Sequence, residues 1–103
     1  MENYELICFQ MISAVGAARS CYVEAIQVAK KGDFEQARQM IKEGEETALA
    51  GHHAHMELIQ KEASGEECKL GLLLMHAEDQ LMSTETVKIM AEEMIELYEK
   101  ISK

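Results

Sequence analysis

The fold is decided at Lys30-Lys31-Gly32-Asp33, a short stretch about one third of the way along the chain. The two lysines suit the negative end of a helix, and the glycine suits the left-handed position that follows it. Asp33 is a typical N-cap residue, and Gln36 follows it at the spacing of a capping box. The stretch therefore predicts that one helix ends here and another begins at once.

A second break is predicted at Ala63-Ser64-Gly65-Glu66-Glu67, where a helix end and a glycine are followed by acidic residues. Ser83-Thr84-Glu85 offers N-cap chemistry further on, but no glycine or proline follows Gly71, so we predict a continuous third helix. The two breaks predict three long helices, over about residues 4–31, 34–63 and 67–102.

The composition favours helices throughout. The 103 residues include no proline, few aromatic residues and many good helix formers such as alanine, leucine, glutamate and methionine. We therefore predict one all-helical domain, spanning residues 1–103, with a core of modest size.

The charge balance excludes one class of partner. Nineteen acidic and ten basic side chains give a formal net charge of -9. An acidic surface repels phosphate backbones and anionic lipids, and no basic stripe interrupts it. The sequence therefore disfavours nucleic-acid binding.

The N-terminal region indicates a cytoplasmic protein. The opening Met1-Glu2-Asn3-Tyr4-Glu5 lacks the basic start of a secretory signal. The longest uncharged stretch, residues 6–18, is shorter than the roughly 20 apolar residues that span a bilayer. The three cysteines, Cys8, Cys21 and Cys68, have no Cys-x-x-Cys spacing, and we expect them to be small buried hydrophobic residues.

The first and third helices carry more apolar residues than one buried face needs. In the third helix, Leu70 and residues 72–75 form a nearly continuous apolar run. In the first helix, the apolar residues off the core stripe are Leu6, Cys8, Phe9, Ile12 and Ala14. A three-helix hairpin alone cannot bury them, so we predict a homo-oligomer. In contrast, residues 35–46 are richly charged and predict a solvated face. The core stripe recurs at steps of three and four residues and consists of Ile7, Met11, Val15, Ala18, Tyr22, Ala25 and Ala29.

Three of the four histidines form the tract His52-His53-Ala54-His55. His52 and His55 are three residues apart and share a helix face. They would supply two ligands to a metal that needs one or two more from elsewhere. A polar helix face, without metal, is the favoured interpretation.

The fourth histidine lies in Leu72-Leu73-Leu74-Met75-His76-Ala77-Glu78-Asp79-Gln80-Leu81-Met82. On a helix, His76, Asp79 and Gln80 lie on adjoining parts of one face. A carboxylate there would fix the imidazole tautomer and leave the other nitrogen as a nucleophile. The spacing alone favours a simpler interpretation, an interior histidine held by Asp79.

The run around His76 resembles the signature of the lactose/cellobiose-specific IIA family of the bacterial phosphotransferase system. That signature is a leucine/valine run followed by His-Ala-Gln-Asp-His-Leu-Met. The resemblance covers nearly the whole chain, and the protein is identified as a member of the family. Other matching segments are Ala14-Val15-Gly16-Ala17-Ala18-Arg19-Ser20, Ala29-Lys30-Lys31-Gly32-Asp33-Phe34 and Leu58-Ile59-Gln60-Lys61-Glu62-Ala63-Ser64-Gly65.

The resemblance implies a fold and an assembly. It implies three long antiparallel helices in an up-down-up bundle that assembles as a homotrimer. An aspartate near the threefold axis falls on Asp79. Three carboxylates meeting there would repel one another, and one magnesium-like cation per trimer, structural in role, would offset the repulsion.

The resemblance also implies a phosphotransferase relay with His76 as the phosphohistidine. His76 would accept a phosphoryl group from the phosphocarrier protein HPr and pass it to a IIB component. A membrane IIC component would use it during uptake of a disaccharide such as cellobiose or lactose. A neutral imidazole nitrogen suits this task, because it is a good nucleophile and leaves readily when protonated.

Three positions depart from the family pattern. Glu78 replaces a glutamine and brings a negative charge beside the phosphoryl acceptor, unless its side chain points away. Gln80 replaces a second histidine and cannot relay protons. His55-Met56 stands where Gln-Thr is usual. An alternative function is therefore a regulatory or interaction protein of the same fold with weakened phosphotransfer.

Overall fold

A computed structural model describes residues 4–102 as three helices in a rod of 56 × 18 × 18 Å. The predicted all-helical class is confirmed, with no strand in residues 4–102. Met1, Glu2, Asn3 and Lys103 lie outside the described residues, so the assignment of all 103 residues to one domain stays a prediction. The helices are α1 (Tyr4–Lys30), α2 (Phe34–Ala63) and α3 (Leu72–Ile101).

The predicted junction between α1 and α2 is confirmed. Gly32 has a φ of 90°, and its amide donates to the carbonyl of Ala29 at 3.0 Å. Asp33 is the N-cap of α2, and its side chain accepts from the amide of Gln36 at 3.2 Å. Because only residues 31–33 separate the two helices, α2 must turn back alongside α1.

The predicted start of α3 at Glu67 is wrong, since the helix begins at Leu72. The chain leaves α2 at Gly65, where φ is 100°, and residues 66–70 form a non-helical connector. The hydroxyl of Tyr4 donates to the carbonyl of Lys69, and Gly71 is extended. This long-range contact holds the connector against the start of α1 and so delays the helix.

The third helix is continuous through Ser83-Thr84-Glu85, as predicted. Thr84 is buried at 2% exposure, and its hydroxyl donates to the carbonyl of Val15 at 3.5 Å. The residue that resembles an N-cap in the sequence therefore makes a contact between helices instead.

The core stripe of α1 is confirmed, because all seven of its predicted members are buried. Near the start of α1 it packs with the end of α2 and the start of α3. Near the end of α1 it packs with the start of α2 and the end of α3. This arrangement is the predicted antiparallel, up-down-up order. The first cluster includes Ile7, Cys8, Met11, Val15, Ala54, Leu58, Leu74, Ala77 and Leu81. The second includes Ala18, Tyr22, Ala25, Ala29, Ala37, Ile41, Ala48, Ala91 and Ile95.

The helix α1 is long and apolar enough to cross a membrane when judged by length and hydropathy alone. The uncharged stretch of residues 6–18, by contrast, is too short to span a bilayer. In the structure, 33% of its most apolar window is buried in the bundle. A core helix that packs between two others has the same composition, so the hydropathy of α1 is consistent with a role in the core.

The cysteines follow the prediction in part. All three are free thiols, and Cys8 is fully buried in the core, whereas Cys21 and Cys68 are half-buried. Burial raises the pKa of the Cys8 thiol, as expected for a thiol that serves as a hydrophobic residue.

Gly44 lets α2 approach the ring of Tyr22 closely. A Cβ atom at Gly44 would lie 2.4 Å from Cε1 of Tyr22, which is itself buried. We expect Gly44→Ala to lower the free energy of unfolding by about 1–3 kcal/mol, because the buried ring must move. Urea denaturation followed by circular dichroism measures this loss.

The matched control is Gly16→Ala, in the interior of α1, where a new Cβ meets nothing within 4 Å. Alanine is the better helix former, so this variant should gain about 0.5–1 kcal/mol. Equal effects of the two substitutions would contradict the close approach of Tyr22 to α2.

The stability of the bundle should fall in alkali. Burial, with nearby Glu85 and Glu45, raises the pKa of Tyr22 from 10.0 to about 12. Stability from the neutral phenol is complete below pH 10 and is lost as the pH rises to about 12. As the pH rises over this range, the free energy of unfolding of Tyr22→Phe should therefore fall less than that of the wild type. Denaturant titration at each pH measures both. Parallel alkaline profiles for the two proteins would refute the assignment.

Candidate functional site

His76 lies in the second turn of α3, on the outer surface of the bundle. Its neighbours Leu74 and Ala77 are buried against α1, whereas Met75 is 65% exposed. The imidazole itself is exposed. The interpretation of His76 as an interior histidine is therefore wrong, because residues 74 and 77 take the inward positions of this turn.

Asp79 also lies on the outer surface, one turn after His76. Its Oδ1 accepts a hydrogen bond from Ser83 Oγ at 3.4 Å. Within residues 4–102, Asp79 makes no hydrogen bond to His76, so the predicted tautomer-fixing contact does not form in the single chain.

Glu78 points away from His76 and towards α2. Its Oε1 lies 2.8 Å from Nε2 of His55. Residues two apart on a helix do not face each other, so the charge that was expected to disfavour phosphorylation is directed to the other side of α3. A weak sign of this contact is present in the sequence, because His55 and Glu78 are both departures from the pattern that the resemblance implies.

The contact of Glu78 belongs to a polar seam, which we define as the four contacts of a glutamate with a histidine, lysine or arginine that join α2 to α3 within residues 4–102. Hydrogen bonding to Glu45 raises the pKa of Lys88, and hydrogen bonding to Glu99 raises the pKa of Arg38. The seam can form in only one rotation of α3 about its axis, the rotation that core packing sets, and in that rotation His76 faces outward. The pairs are His55–Glu78 at 2.8 Å, His52–Glu85 at 2.7 Å, Lys88–Glu45 at 3.1 Å and Arg38–Glu99.

The seam also accounts for the histidine tract. His52 and His55 share a face, as predicted, but each contacts a different glutamate, and those glutamates are two turns apart on α3. No group of three or more potential metal ligands is found among residues 4–102. The metal-binding interpretation of the tract is therefore not supported, whereas the contacts with Glu85 and Glu78 support a polar helix face.

An apolar stripe runs along the outer surface of α3, on the side that carries Asp79. Met75, Met82 and Ile89 follow one another at intervals of seven residues and are 65%, 68% and 58% exposed. Asp79 and Thr86 lie between them, at the intermediate positions of the same heptad pattern. We call Met75, Asp79, Met82, Thr86 and Ile89 the outer stripe. An apolar stripe of this length is typical of a surface that packs against another chain.

The chain matches the family model described as the lactose/cellobiose-specific IIA subunit of the phosphotransferase system over residues 6–99. It belongs to this family. It is therefore a IIA component of a sugar phosphotransferase system, and IIA components act as phosphotransferase carriers. The resemblance that the run around His76 indicated is confirmed.

Curated relatives agree with this assignment. The lichenan-specific IIA component of Bacillus subtilis is 50% identical and is matched over 98% of this chain and 92% of its own length. The oligo-beta-mannoside-specific component of the same organism is 43% identical over 91% and 86%. A lactose-specific component of Staphylococcus aureus is 33% identical over 96% of each chain.

Solved structures agree as well. The cellobiose-specific enzyme IIA of Bacillus anthracis superposes with a TM-score of 0.94 at 43% identity, covering 99% of this chain and 94% of that one. The chitobiose-specific IIA of Escherichia coli, solved in complex with HPr, gives a TM-score of 0.76 at 31% identity over the full length of both chains. The three-helix fold is thus shared with family members of known structure.

Proposed function

We propose that His76 is the residue that carries the phosphoryl group. The observation that carries this proposal is the exposure of the imidazole on α3, with Glu78 turned away from it towards His55. A ring nitrogen of His76 attacks the phosphorus of the charged donor, and the bond between phosphorus and the donor breaks as the new N–P bond forms. In the second transfer a nucleophile of the acceptor attacks the same phosphorus, the N–P bond breaks, and the imidazole of His76 leaves.

Transfer of this kind depends on in-line positioning and on stabilising the charge of the phosphoryl group. Residues 72–80 contain no lysine or arginine. We infer that the donor and acceptor supply the cationic groups, while this chain supplies the nucleophile and the surface that orients it. The exposed side chain of Leu72 lies one turn before His76 and is suited to that docking.

The partners follow from the relay. We propose HPr as the donor, supported by the structural similarity to a IIA component solved with HPr. A IIB component is the acceptor, and a membrane IIC component takes up a disaccharide such as cellobiose or lactose. These partners place the chain in the cytoplasm.

We further propose that the chain assembles as a homotrimer through the outer stripe. The exposed methionines and Ile89 would then be buried between copies. The side chain of Asp79 lies in the same stripe and would meet its two equivalents at the threefold axis. Their mutual repulsion is offset by one magnesium-like cation, which oxygen ligands suit.

The carrier role predicts one acid-labile phosphoryl group on His76. After incubation with phosphoenolpyruvate, enzyme I and HPr, intact-mass spectrometry should find one phosphoryl group on the wild type and none on His76→Ala. The matched control is His53→Ala, which removes another exposed histidine and should leave phosphorylation unchanged. An unmodified wild type, under conditions that charge HPr, would refute the proposal and favour the regulatory alternative.

The trimer proposal predicts that Ile89→Glu yields monomers, because a charge in the outer stripe cannot be buried between copies. Leu49→Glu, at an equally exposed apolar position on α2, should leave the wild-type mass unchanged. Light scattering coupled to gel filtration measures both masses. A monomeric wild type, or an equal fall in mass in the two variants, would refute the proposed interface.

The cation proposal makes a separate prediction. Chelation should lower the melting temperature of the wild-type trimer, because the Asp79 carboxylates then repel one another. Asp79→Asn removes that repulsion, so its melting temperature should not respond to chelation. Differential scanning calorimetry, with and without a chelator, tests this. The same response in both proteins would place any bound cation elsewhere.

A further inference from the structure

The contact between His55 and Glu78 joins α2 to the helix turn that carries His76. Nε2 of His55 and Oε1 of Glu78 are 2.8 Å apart, and the two side chains are 24% and 37% exposed. Glu78 is two residues from His76, a rise of about 3 Å along the helix axis. Glu78 and Asp79 are the two carboxylates of α3 that lie within one helix turn of His76.

The charge of Glu78 opposes phosphorylation when its side chain is free to move. A phosphoryl group carries a charge of about -1.5 to -2 near neutral pH. The Debye length is about 8 Å at physiological ionic strength, so a carboxylate within one helix turn is only partly screened from the group. The side chains of residues 76 and 78 leave the helix on different sides, but a free glutamate side chain samples rotamers that bring its carboxylate nearer to residue 76 than the contact with His55 allows.

The contact with His55 removes those rotamers. The carboxylate is held on the α2 side of α3, which is the side opposite the His76 imidazole. The charge that lies beside the acceptor in the sequence is thus held away from it by a side chain of α2.

We propose that His55 is a positioning residue for phosphoryl transfer, acting through Glu78. The inference rests on the proposed function of His76. His55 touches neither the phosphoryl group nor the ring of His76. It keeps the carboxylate of Glu78 against α2 and so protects the phosphorylated state from electrostatic repulsion.

The seam supplies a matched control. Nε2 of His52 lies 2.7 Å from Oε1 of Glu85, so the chemistry of this second pair is the same. Glu85 is nine residues from His76, about 13.5 Å along the helix axis. That separation exceeds the Debye length, so the second pair should not affect the phosphoryl group.

The experiment is a double-mutant cycle on the equilibrium of phosphoryl exchange with HPr. Wild type, His55→Ala, Glu78→Gln and the double variant are equilibrated at one fixed ratio of phosphorylated to free HPr. Intact-mass spectrometry gives the phosphorylated fraction of each, and thermal denaturation gives its stability. The same four-protein cycle is run for His52→Ala and Glu85→Gln.

We expect His55→Ala to lower the exchange equilibrium constant at most about twofold, because the substitution moves one charge closer to a partly screened dianion and does not add a charge. In the Glu78→Gln background the same substitution should have no effect, because no carboxylate remains to be held. His52→Ala should leave the constant unchanged in both backgrounds. Rescue by Glu78→Gln separates positioning from a structural role, since a damaged fold would stay impaired whichever residue occupies position 78.

Two results would overturn the inference while leaving the carrier role intact. One is a fall in the exchange equilibrium constant on His55→Ala that is the same with glutamate and with glutamine at position 78. The other is a fall on His52→Ala as large as the fall on His55→Ala. A wild type that takes up no phosphoryl group at all, like His76→Ala, would overturn the proposed function and this inference together.

Discussion

Burial of α1 on two sides at once is the constraint on which the rest of the bundle depends. Its stripe faces both α2 and α3, so those helices must approach it closely along its whole length. Small residues make that approach possible. A Cβ at Gly51 would lie 2.9 Å from Val15, and one at Gly44 would meet Tyr22. The alanines of the second cluster act in the same way, and the resulting fit sets the rotation of α2 and α3 about their own axes.

That rotation decides where the polar residues meet. Because α1 takes the apolar faces of both neighbours, α2 and α3 contact each other mainly through the charged and histidine side chains of the seam. Exposed ion pairs contribute little to stability, on the order of 0–1 kcal/mol each. Their importance lies in orientation, since pairs such as His52–Glu85 and His55–Glu78 require a single register between the two helices.

Around His76, the same rotation sorts neighbouring side chains by direction. Ala77 faces the core, Glu78 faces α2, and Asp79 faces outward with the stripe of methionines. Glu78 and Asp79 are consecutive in the sequence, but they lie in different surroundings and have different roles in the proposed mechanism. One is restrained beside the phosphoryl acceptor, and the other is available at the proposed interface between copies.

The sequence by itself determined the all-helical class, the junction at Gly32, the core stripe of α1 and the family. These depend on caps, periodicity and a motif, each of which acts within a few residues along the chain. Only the tertiary structure decided the start of α3 at Leu72, because the contact between Tyr4 and the carbonyl of Lys69 joins residues 65 positions apart. It likewise decided the partner of Glu78, since the direction of a side chain on a surface helix depends on how that helix is rotated against its neighbours. Residues that lie close in space and far apart in sequence leave no local pattern from which such contacts can be predicted.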